Sequence, residues 1–228
     1  MMKFGIIGAM DEEIELLKKK MTNKQEIEIA SVLFIEGKLN DNEIILLKSG
    51  IGKVNAAMAT TILLERFEPT HVINTGSAGG FSNKLEVGDI VIGKEVVHHD
   101  VDVTAFDYKY GQVPNMPASF PADNILIDKI NTVLNDLSIK SEIGLIATGD
   151  SFMSDPKRVA AVKKKFPNMI AAEMEGAAIA QVCYQYQVPF VIIRALSDIA
   201  GEKSSISFNE FLHLAARNAA NIITQLIK

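Results

Sequence analysis

Short apolar runs alternate along the chain with longer segments that are apolar on one face only. The runs are rich in Ile, Val and Leu, and several end in Gly or Ser, which is typical of buried β-strands bounded by turns. They read KFGIIG, IASVLFIEG, NEIILLKSG, THVINTG, DIVIGKEVV, SEIGLIATG, NMIAAEM and VPFVIIRALSD. The pattern predicts a strand at each of these runs.

Helical periodicity fills most of the segments between the runs. The predicted helices cover residues 11–21, 53–67, 124–137, 156–166, 175–186 and 207–227. Because the early strands follow one another directly and the later ones alternate with helices, we expect an α/β fold with a mixed, twisted sheet flanked by helices. Without an internal repeat or a linker, residues 1–228 are interpreted as a single domain. The stretch 98–122 lacks clear periodicity and is predicted to be a long functional or interface loop.

Composition narrows the class of protein. With 228 residues, 48% of them hydrophobic, the chain can bury a sizeable core. The net charge of −5, with basic runs only at 18–20 and 163–165, argues against a nucleic-acid partner. A single cysteine, Cys183, gives no disulfide framework and fits a reducing cytosol. No apolar stretch reaches the roughly eighteen residues of a membrane span, and the first run is too short for a secretory signal, so we expect a cytoplasmic protein with no membrane partner.

Two Gly-rich segments, SGIGKVNAA and NTGSAGG, invite comparison with phosphate-binding loops. Neither has the Walker spacing, because Lys53 is followed by Val54, and neither has the dinucleotide spacing. Glycines still allow a close approach of backbone to ligand, so Ser77, Ala78 and Gly79 remain candidates for a binding loop.

The segment VHHDVD places His98, Asp100 and Asp102 on one face of an extended chain, a spacing that could hold a metal ion. No further pair of ligands is spaced to complete such a site. We therefore expect a hydrogen-bonded strand end and no bound metal.

Carboxylates follow several of the predicted strands. Glu13 comes soon after the first, Glu173 and Glu175 lie where NMIAAEM becomes an Ala-rich helix, and Asp198 closes the most apolar strand. Each acid taken alone could cap a helix, since a carboxylate complements the helix dipole by about 0.3–1 kcal/mol. Ligands of α/β proteins bind at the carboxyl ends of strands, however, so a shared pocket explains the acids together better than independent caps do.

Seven motifs, in order and over nearly the whole chain, give a closer resemblance. They are GIIGAMDEE, SGIGKVNAA, NTGSAGG, HDVDVTAFDYKYGQ, TGDSF, EMEGAAIAQ and IRALSD. Together they resemble the bacterial 5′-methylthioadenosine/S-adenosylhomocysteine nucleosidases. The resemblance implies a purine phosphorylase/hydrolase-like fold, a homodimer, and hydrolysis of the adenine–ribosyl bond of these two nucleosides and of 5′-deoxyadenosine. It also implies that neither a metal nor an organic cofactor takes part.

By the same resemblance, Glu13 is the base that activates water and Asp198 is the acid that protonates adenine N7. Glu175 would hold the ribose hydroxyls, Ser197 would orient Asp198, and Arg194 would lie near the water. Keeping an Asp protonated at neutral pH requires its pKa to rise by about three from the reference value near 3.9.

The remaining residues implied by the family form the walls of the substrate pocket. Phe152 would stack on adenine, the backbone of Met153 would read the edge of the base, and Met174 would lie against the sugar. The other lining residues would be Met10, Ile51, Ser77, Ala78, Gly79, Glu173 and Phe208. Phe106 and Pro114 would reach into the site of a partner subunit. Asp107 departs from the family, which more often has Gly after TAF.

Two alternatives stay open. One is a phosphorylase of the same superfamily, which would use phosphate in place of water, and the other is an adenosine-binding sensor without catalysis. A carboxylate about 4 Å from a phosphate charge costs on the order of 4 kcal/mol at an effective dielectric near 20, so acids at the attacking side favour water. A sensor would have no reason to keep both Glu13 and Asp198.

Overall fold

Strands and helices follow one another along the chain much as the apolar pattern predicts. The computed structural model describes residues 2–201 and 204–228. Its elements are β1 (Lys3–Gly8), α1 (Asp11–Lys20), β2 (Thr22–Ile29), β3 (Val32–Leu39), β4 (Asn42–Lys48), α2 (Lys53–Phe67), β5 (His71–Gly80), β6 (Ile90–His98), β7 (Phe120–Pro121), α3 (Asn124–Asp136), β8 (Ser141–Thr148), α4 (Pro156–Lys165), β9 (Met169–Glu173), α5 (Gly176–Tyr186), β10 (Phe190–Ile199) and α6 (Ser204–Leu226).

The strands form one mixed sheet. Its order is β10-β6-β8-β9-β5-β1-β4-β3-β2, and β7 adds to β6. Because β10 also pairs with β5, the strands β5, β9, β8, β6 and β10 close into a circuit, from which β1, β4, β3 and β2 extend as an open wing. The α/β fold class with a mixed sheet and flanking helices is thus confirmed, whereas the closed circuit was not predicted.

Three parallel strands set up the site. β1 pairs in parallel with β5, and β5 pairs in parallel with β10, so their carboxyl ends lie at one edge of the sheet. β10 is buried along almost its whole length, which explains why its sequence is apolar apart from Arg194, Ser197 and Asp198. Helix α6 packs over β10 and β5, and α2 packs against α5.

The sequence-based prediction was wrong at β2 and at the start of β3. β2 is an edge strand with polar, exposed residues and no apolar run to mark it. The predicted strand at IASVLFIEG begins inside the β2–β3 turn, where Ala30 and Ser31 both have positive φ. Such turns usually carry Asn-Gly or Asp-Gly, so Ala-Ser gives no warning of a turn.

The other boundaries agree closely with the prediction except at the end of β5. The predicted strand THVINTG ends at Gly76, but β5 continues to Gly80 because it pairs with β10 there, so Ser77, Ala78 and Gly79 lie in a strand and the predicted binding loop was wrong. Helix α6 begins at Ser204 instead of residue 207, and the remaining helices match to within a residue. The stretch 98–122 is irregular apart from a 3₁₀ turn at Thr104–Phe106 and the two residues of β7.

Candidate active site

A cavity of about 380 Å³ opens at the carboxyl ends of β1, β5, β9 and β10. This volume is within the range of small-molecule sites, roughly 300–1,000 Å³. Every predicted site residue lines the cavity except Arg194, Phe106 and Pro114. The charged residues among the described lining are all acidic, namely Glu13, Glu173, Glu175 and Asp198.

The carboxylate of Glu13 is held on both oxygens. Oε2 accepts hydrogen bonds from the N–H groups of Ala9 at 2.7 Å and Met10 at 3.2 Å, and so caps the start of α1. Oε1 accepts from the N–H of Ser77 at 3.0 Å and from its hydroxyl at 3.2 Å. Glu13 therefore caps a helix and faces the cavity at the same time.

Gly76 allows the carboxylate of Glu13 to reach β5. A Cβ atom at that position would overlap a guanidinium nitrogen of Arg194 and lie 2.7 Å from Glu13 Oε1. Glu13 is fixed by backbone donors, so it has little room to move aside. Residue 76 must therefore lack a side chain for Glu13 to reach β5.

The carboxylate of Glu173 is occupied by partners within the protein. Oε2 accepts the N–H groups of Glu175 at 3.0 Å and Gly176 at 2.7 Å, so Glu173 caps α5. The hydroxyl of Thr148 and the guanidinium of Arg194 also donate to it. The sequence analysis considered Glu175 as the cap of this helix, but Glu173 is the cap. The oxygens of Glu173 have little capacity left for a ligand.

Arg194 lies behind the cavity wall and is fully buried. Its Nη2 pairs with Glu173, donates to Asn74 Oδ1 at 2.6 Å, and lies 3.5 Å from Glu175 Oε2. Burial opposes its charge, but the carboxylates of Glu173, Glu175 and Glu13 raise the pKa of Arg194 above its usual value. The arginine therefore compensates carboxylates and does not line the cavity.

Glu175 carries a strongly perturbed carboxyl group. Burial raises the pKa of Glu175 to about 7, and the charge of Glu173 adds to the effect. Arg194 and the N–H of Gly52, which donates to Oε1 at 2.9 Å, oppose the rise. A carboxyl group that titrates near neutrality inside a cavity is a candidate for a functional group.

A bulge in β10 aims Asp198 into the cavity. Opposite β5, Leu196 pairs with Ala78 and Asp198 with Gly79, so Ser197 is one residue too many. Bulges next to active sites redirect side chains in this way. The hydroxyl of Ser197 donates to Asp198 Oδ1 at 2.8 Å, which supports its predicted orienting role.

An aromatic pair closes one side of the cavity. The rings of Phe152 and Phe208 meet edge to face with centroids 5.8 Å apart. Phe152 is partly exposed, which leaves an apolar surface on which a planar ligand could lie.

Comparison with known proteins identifies the family. The Phosphorylase superfamily model matches residues 3–228. A 5′-methylthioadenosine/S-adenosylhomocysteine nucleosidase of Oceanobacillus iheyensis is 60% identical over 227 residues, covering 100% of this chain and 99% of that protein. A Colwellia psychrerythraea nucleosidase of the same name, in complex with adenine, has a TM-score of 0.97 at 49% identity and covers 99% of this chain and 94% of that one. The Neisseria meningitidis enzyme, in complex with methylthio-immucillin-A, has a TM-score of 0.98 at 48% identity, covering 100% and 99%.

This chain belongs to the 5′-methylthioadenosine/S-adenosylhomocysteine nucleosidase family.

Three lining residues of this nucleosidase-family member were missed from sequence, namely Ala9, Ser151 and Ala172. Ser151 lies within the motif TGDSF, and the other two are small neighbours of predicted residues. Asn74 was also missed, and a polar residue inside the apolar run THVINTG could have revealed it.

The predicted partner-subunit residues lie away from the cavity of their own chain. Phe106 is 75% exposed in the 3₁₀ turn, and Pro114 lies further along the same loop. Asp107, the departure from the family pattern, has a left-handed backbone with φ of 62°, a conformation that glycine adopts easily.

The segment VHHDVD forms a hydrogen-bonded strand end. His98 contacts Gln181, Asp100 pairs with Lys53, and Asp102 accepts from Thr104. Within the described part of the chain, no cluster of three His, Cys, Asp or Glu side chains could hold a metal ion. Over the same residues, no helix is both long and apolar enough to cross a lipid bilayer.

Proposed function

We propose that this chain hydrolyses the N-glycosidic bond of 5′-methylthioadenosine, S-adenosylhomocysteine and 5′-deoxyadenosine, releasing adenine and the corresponding ribose. The observation that carries the proposal is the placement of two carboxylates, Glu13 and Asp198, beside strand β5 in the same cavity. Relatives at 57–60% identity that are named for this activity support it.

The contacts of Glu13 and Asp198 with β5 give an estimate of how far apart the two carboxyl groups lie. Glu13 contacts β5 at Ser77, and Asp198 pairs with β5 at Gly79, two residues further on. Two residues of a strand span about 7 Å. Carboxyl groups roughly 6.5–9.5 Å apart leave room for a water molecule in glycosidases that use direct attack. The spacing favours attack by water without a covalent sugar–enzyme intermediate.

In the proposed reaction Asp198 donates a proton to adenine N7 while the bond between C1′ and N9 breaks. The bonding electron pair leaves with the base, and the sugar gains the character of an oxocarbenium ion. Glu13 takes a proton from water as the water oxygen bonds to C1′. Of the four donors on Glu13, the hydroxyl of Ser77 is the one that can rotate away and leave its acceptor site to that water. Each positioned acid or base contributes about 10²–10⁴-fold.

The rest of the cavity would bind the nucleoside. Glu175, with one oxygen held by Gly52, would accept hydrogen bonds from the ribose hydroxyls. Phe152 would stack on adenine, and the backbone of Met153 would contact its edge. Met10, Ile51, Phe208 and Met174 would surround the sugar and its thioether, an apolar group that such side chains suit.

Water is favoured over phosphate as the nucleophile. No Lys or Arg occurs in the described lining of the cavity, and Arg194 is already paired with buried carboxylates. A phosphate ion at Glu13 would meet like charge without a compensating cation, at a cost on the order of 4 kcal/mol per charge pair.

Incubation with methylthioadenosine in phosphate-free buffer tests the proposal. Release of adenine together with free methylthioribose is expected. A requirement for phosphate with formation of a sugar phosphate would identify a phosphorylase instead. Binding of the nucleoside without any product would identify a sensor.

The proposal includes a homodimer in which Phe106 and Pro114 complete the partner's site. Apolar side chains on α2 and the 3₁₀ turn support it, because Val54 is 78% exposed, Met58 is partly exposed and Phe106 protrudes. Exposed apolar side chains of this size are frequent at protein interfaces. Sedimentation analysis should give twice the mass of the chain, and a monomeric mass for the active species would contradict the dimer.

A further inference from the structure

The Gly-rich segment SGIGKVNAA at the start of α2 binds carboxylates of the protein itself. Gly52 has φ of 96°, a conformation that favours glycine, and its N–H donates to Glu175 Oε1 at 2.9 Å. The next N–H, of Lys53, donates to Asp150 Oδ1 at 2.8 Å. A helix N-terminus is suited to anions, and here two side-chain carboxylates occupy it.

Lys53, Asp100 and Asp150 form a closed hydrogen-bonded ring around this helix start. The ammonium of Lys53 lies 2.6 Å from Asp100 Oδ1, and the N–H of Asp150 donates to Asp100 Oδ2 at 3.0 Å. The bond from the Lys53 N–H to Asp150 closes the ring. The ring joins α2 to the segments that follow β6 and β8.

Charge and packing hold the ring together. Although partial burial opposes ionisation, the Lys53 ammonium and the Asp150 N–H hold the pKa of Asp100 below its usual value. The side chains of Lys53 and Asp100 are only 20% and 29% exposed, so solvent screens their attraction less than that of a surface pair. A Cβ at residue 52 would lie 3.1 Å from Asp150 Oδ1, so Asp150 fits closely against Gly52.

We propose that the Lys53–Asp100–Asp150 ring is a positioning device that holds the Gly52 N–H on Glu175 and so fixes the carboxylate for the ribose hydroxyls. The role of Glu175 in this inference rests on the proposed function. The opposite oxygen of Glu175 lies 3.5 Å from Arg194, so the ring and the arginine hold the carboxylate from two sides. None of the three ring residues lines the cavity, and each acts through Gly52.

Kinetics with two substrates test the positioning role. Asp100→Asn and Lys53→Met should each lower kcat/KM for methylthioadenosine about tenfold, the size of one charge-assisted hydrogen bond. With the 2′,3′-dideoxy analogue, which lacks the hydroxyls, the loss should fall below about twofold because Glu175 then has nothing to hold. Equal losses on both substrates would overturn the proposal.

Lys18→Met is the matched control. Lys18 pairs with Glu26 at 2.8 Å, and Glu26 lies on β2, the outermost strand of the open wing and four strands from β5. The substitution removes the same charge in the same way. It should leave kcat/KM unchanged for both substrates.

Titration of Glu175 in the ligand-free protein gives a second readout that needs no activity. NMR of the side-chain carboxyl groups in glutamate-labelled protein can follow the titration of Glu175. The Glu175 resonance is the one that is missing from the spectrum of Glu175→Gln. Glu173, Arg194, Glu13 and the Gly52 N–H act on this carboxyl, and the N–H lowers its pKa. Weakening the ring should therefore move the midpoint above the native value of about 7.

The two readouts separate the inference from the proposed function. An unchanged Glu175 midpoint in both Asp100→Asn and Lys53→Met would overturn the inference. A raised midpoint in the two variants, together with no release of adenine by the wild-type protein, would support the positioning and refute the proposed activity.

Discussion

Replacement of Glu175 by Gln should stabilise the ligand-free protein, and by an amount that depends on pH. Glu175 is 5% exposed, and burial with the nearby charge of Glu173 raises its pKa from 4.5 to about 7. The folded protein therefore binds this proton more tightly than the unfolded chain does. Its free energy of unfolding falls as pH rises from 4.5 to about 7 and does not recover above that. At 1.36 kcal/mol per pH unit, the loss approaches about 3 kcal/mol.

Thermal unfolding of wild type and Glu175→Gln between about pH 5 and pH 8 measures the effect. At the acid end both side chains are neutral in the folded protein, so the two proteins should differ by less than about 1 kcal/mol, or roughly 2–4 °C. At the alkaline end the variant should be more stable by up to about 3 kcal/mol, or roughly 6–12 °C for a chain of this size. The same variant should lose most of its nucleosidase activity, because stability and function conflict at a buried carboxylate.

Glu173→Gln is the control, since it changes the same group two residues away. Glu173 pairs with Arg194 and caps α5, so its loss leaves a buried cation with one partner fewer. Destabilisation of about 3–5 kcal/mol is expected from breaking such a pair. A stability difference for Glu175→Gln that stays constant across the pH range would refute the reasoning.

Three further predictions concern the proposed catalytic groups and the proposed dimer interface. Glu13→Gln and Asp198→Asn should each abolish adenine release, which chromatography measures, while circular dichroism shows the native fold. Near-normal turnover in either variant would contradict the role assigned to that residue. Gly76→Ala should reduce activity at least about tenfold by displacing Glu13, whereas Gly93→Ala, whose Cβ would meet the flexible end of Ile146 at 3.1 Å, should keep activity. Phe106→Ala should raise KM without changing the secondary structure, and an unchanged KM would exclude this residue from the partner's site.

The acidic strand ends could be identified from sequence because their pattern is local. A carboxylate soon after an apolar run is visible in the chain, and the carboxyl ends of the three runs, β1, β9 and β10, meet at one cavity although β9 is antiparallel to β5. Glu13, Glu175 and Asp198 were therefore brought together correctly. Their environment was harder to foresee, because the bulge at Ser197 depends on the register of β10 against β5.

Partners distant in sequence could not be predicted. Arg194 was expected among the residues of the site, and it lies behind the wall because Asn74 and Glu173 bind it there. Its place near the attacking water stays a prediction. Glu173 accepts the first N–H groups of α5 and Glu175 does not, which depends on side-chain directions that the sequence does not show. β2 was missed because an exposed edge strand needs no apolar alternation, since its side chains face water.

The ring at the start of α2 shows a related limit of sequence reasoning. The segment SGIGKVNAA was compared with phosphate-binding loops because its glycines and lysine suggest an anion site. The anions proved to be the carboxylates of Glu175 and Asp150, which come from distant parts of the chain. The chemistry of the segment was thus visible in sequence, but the identity of its ligand was not.

Cleavage of methylthioadenosine in water enriched in heavy oxygen, with phosphate also present, tests the central claim most directly. If Glu13 activates water, mass spectrometry should find the heavy oxygen at C1 of the released methylthioribose, and no such product should form with Glu13→Gln. A sugar phosphate carrying unlabelled oxygen at C1 would contradict the account.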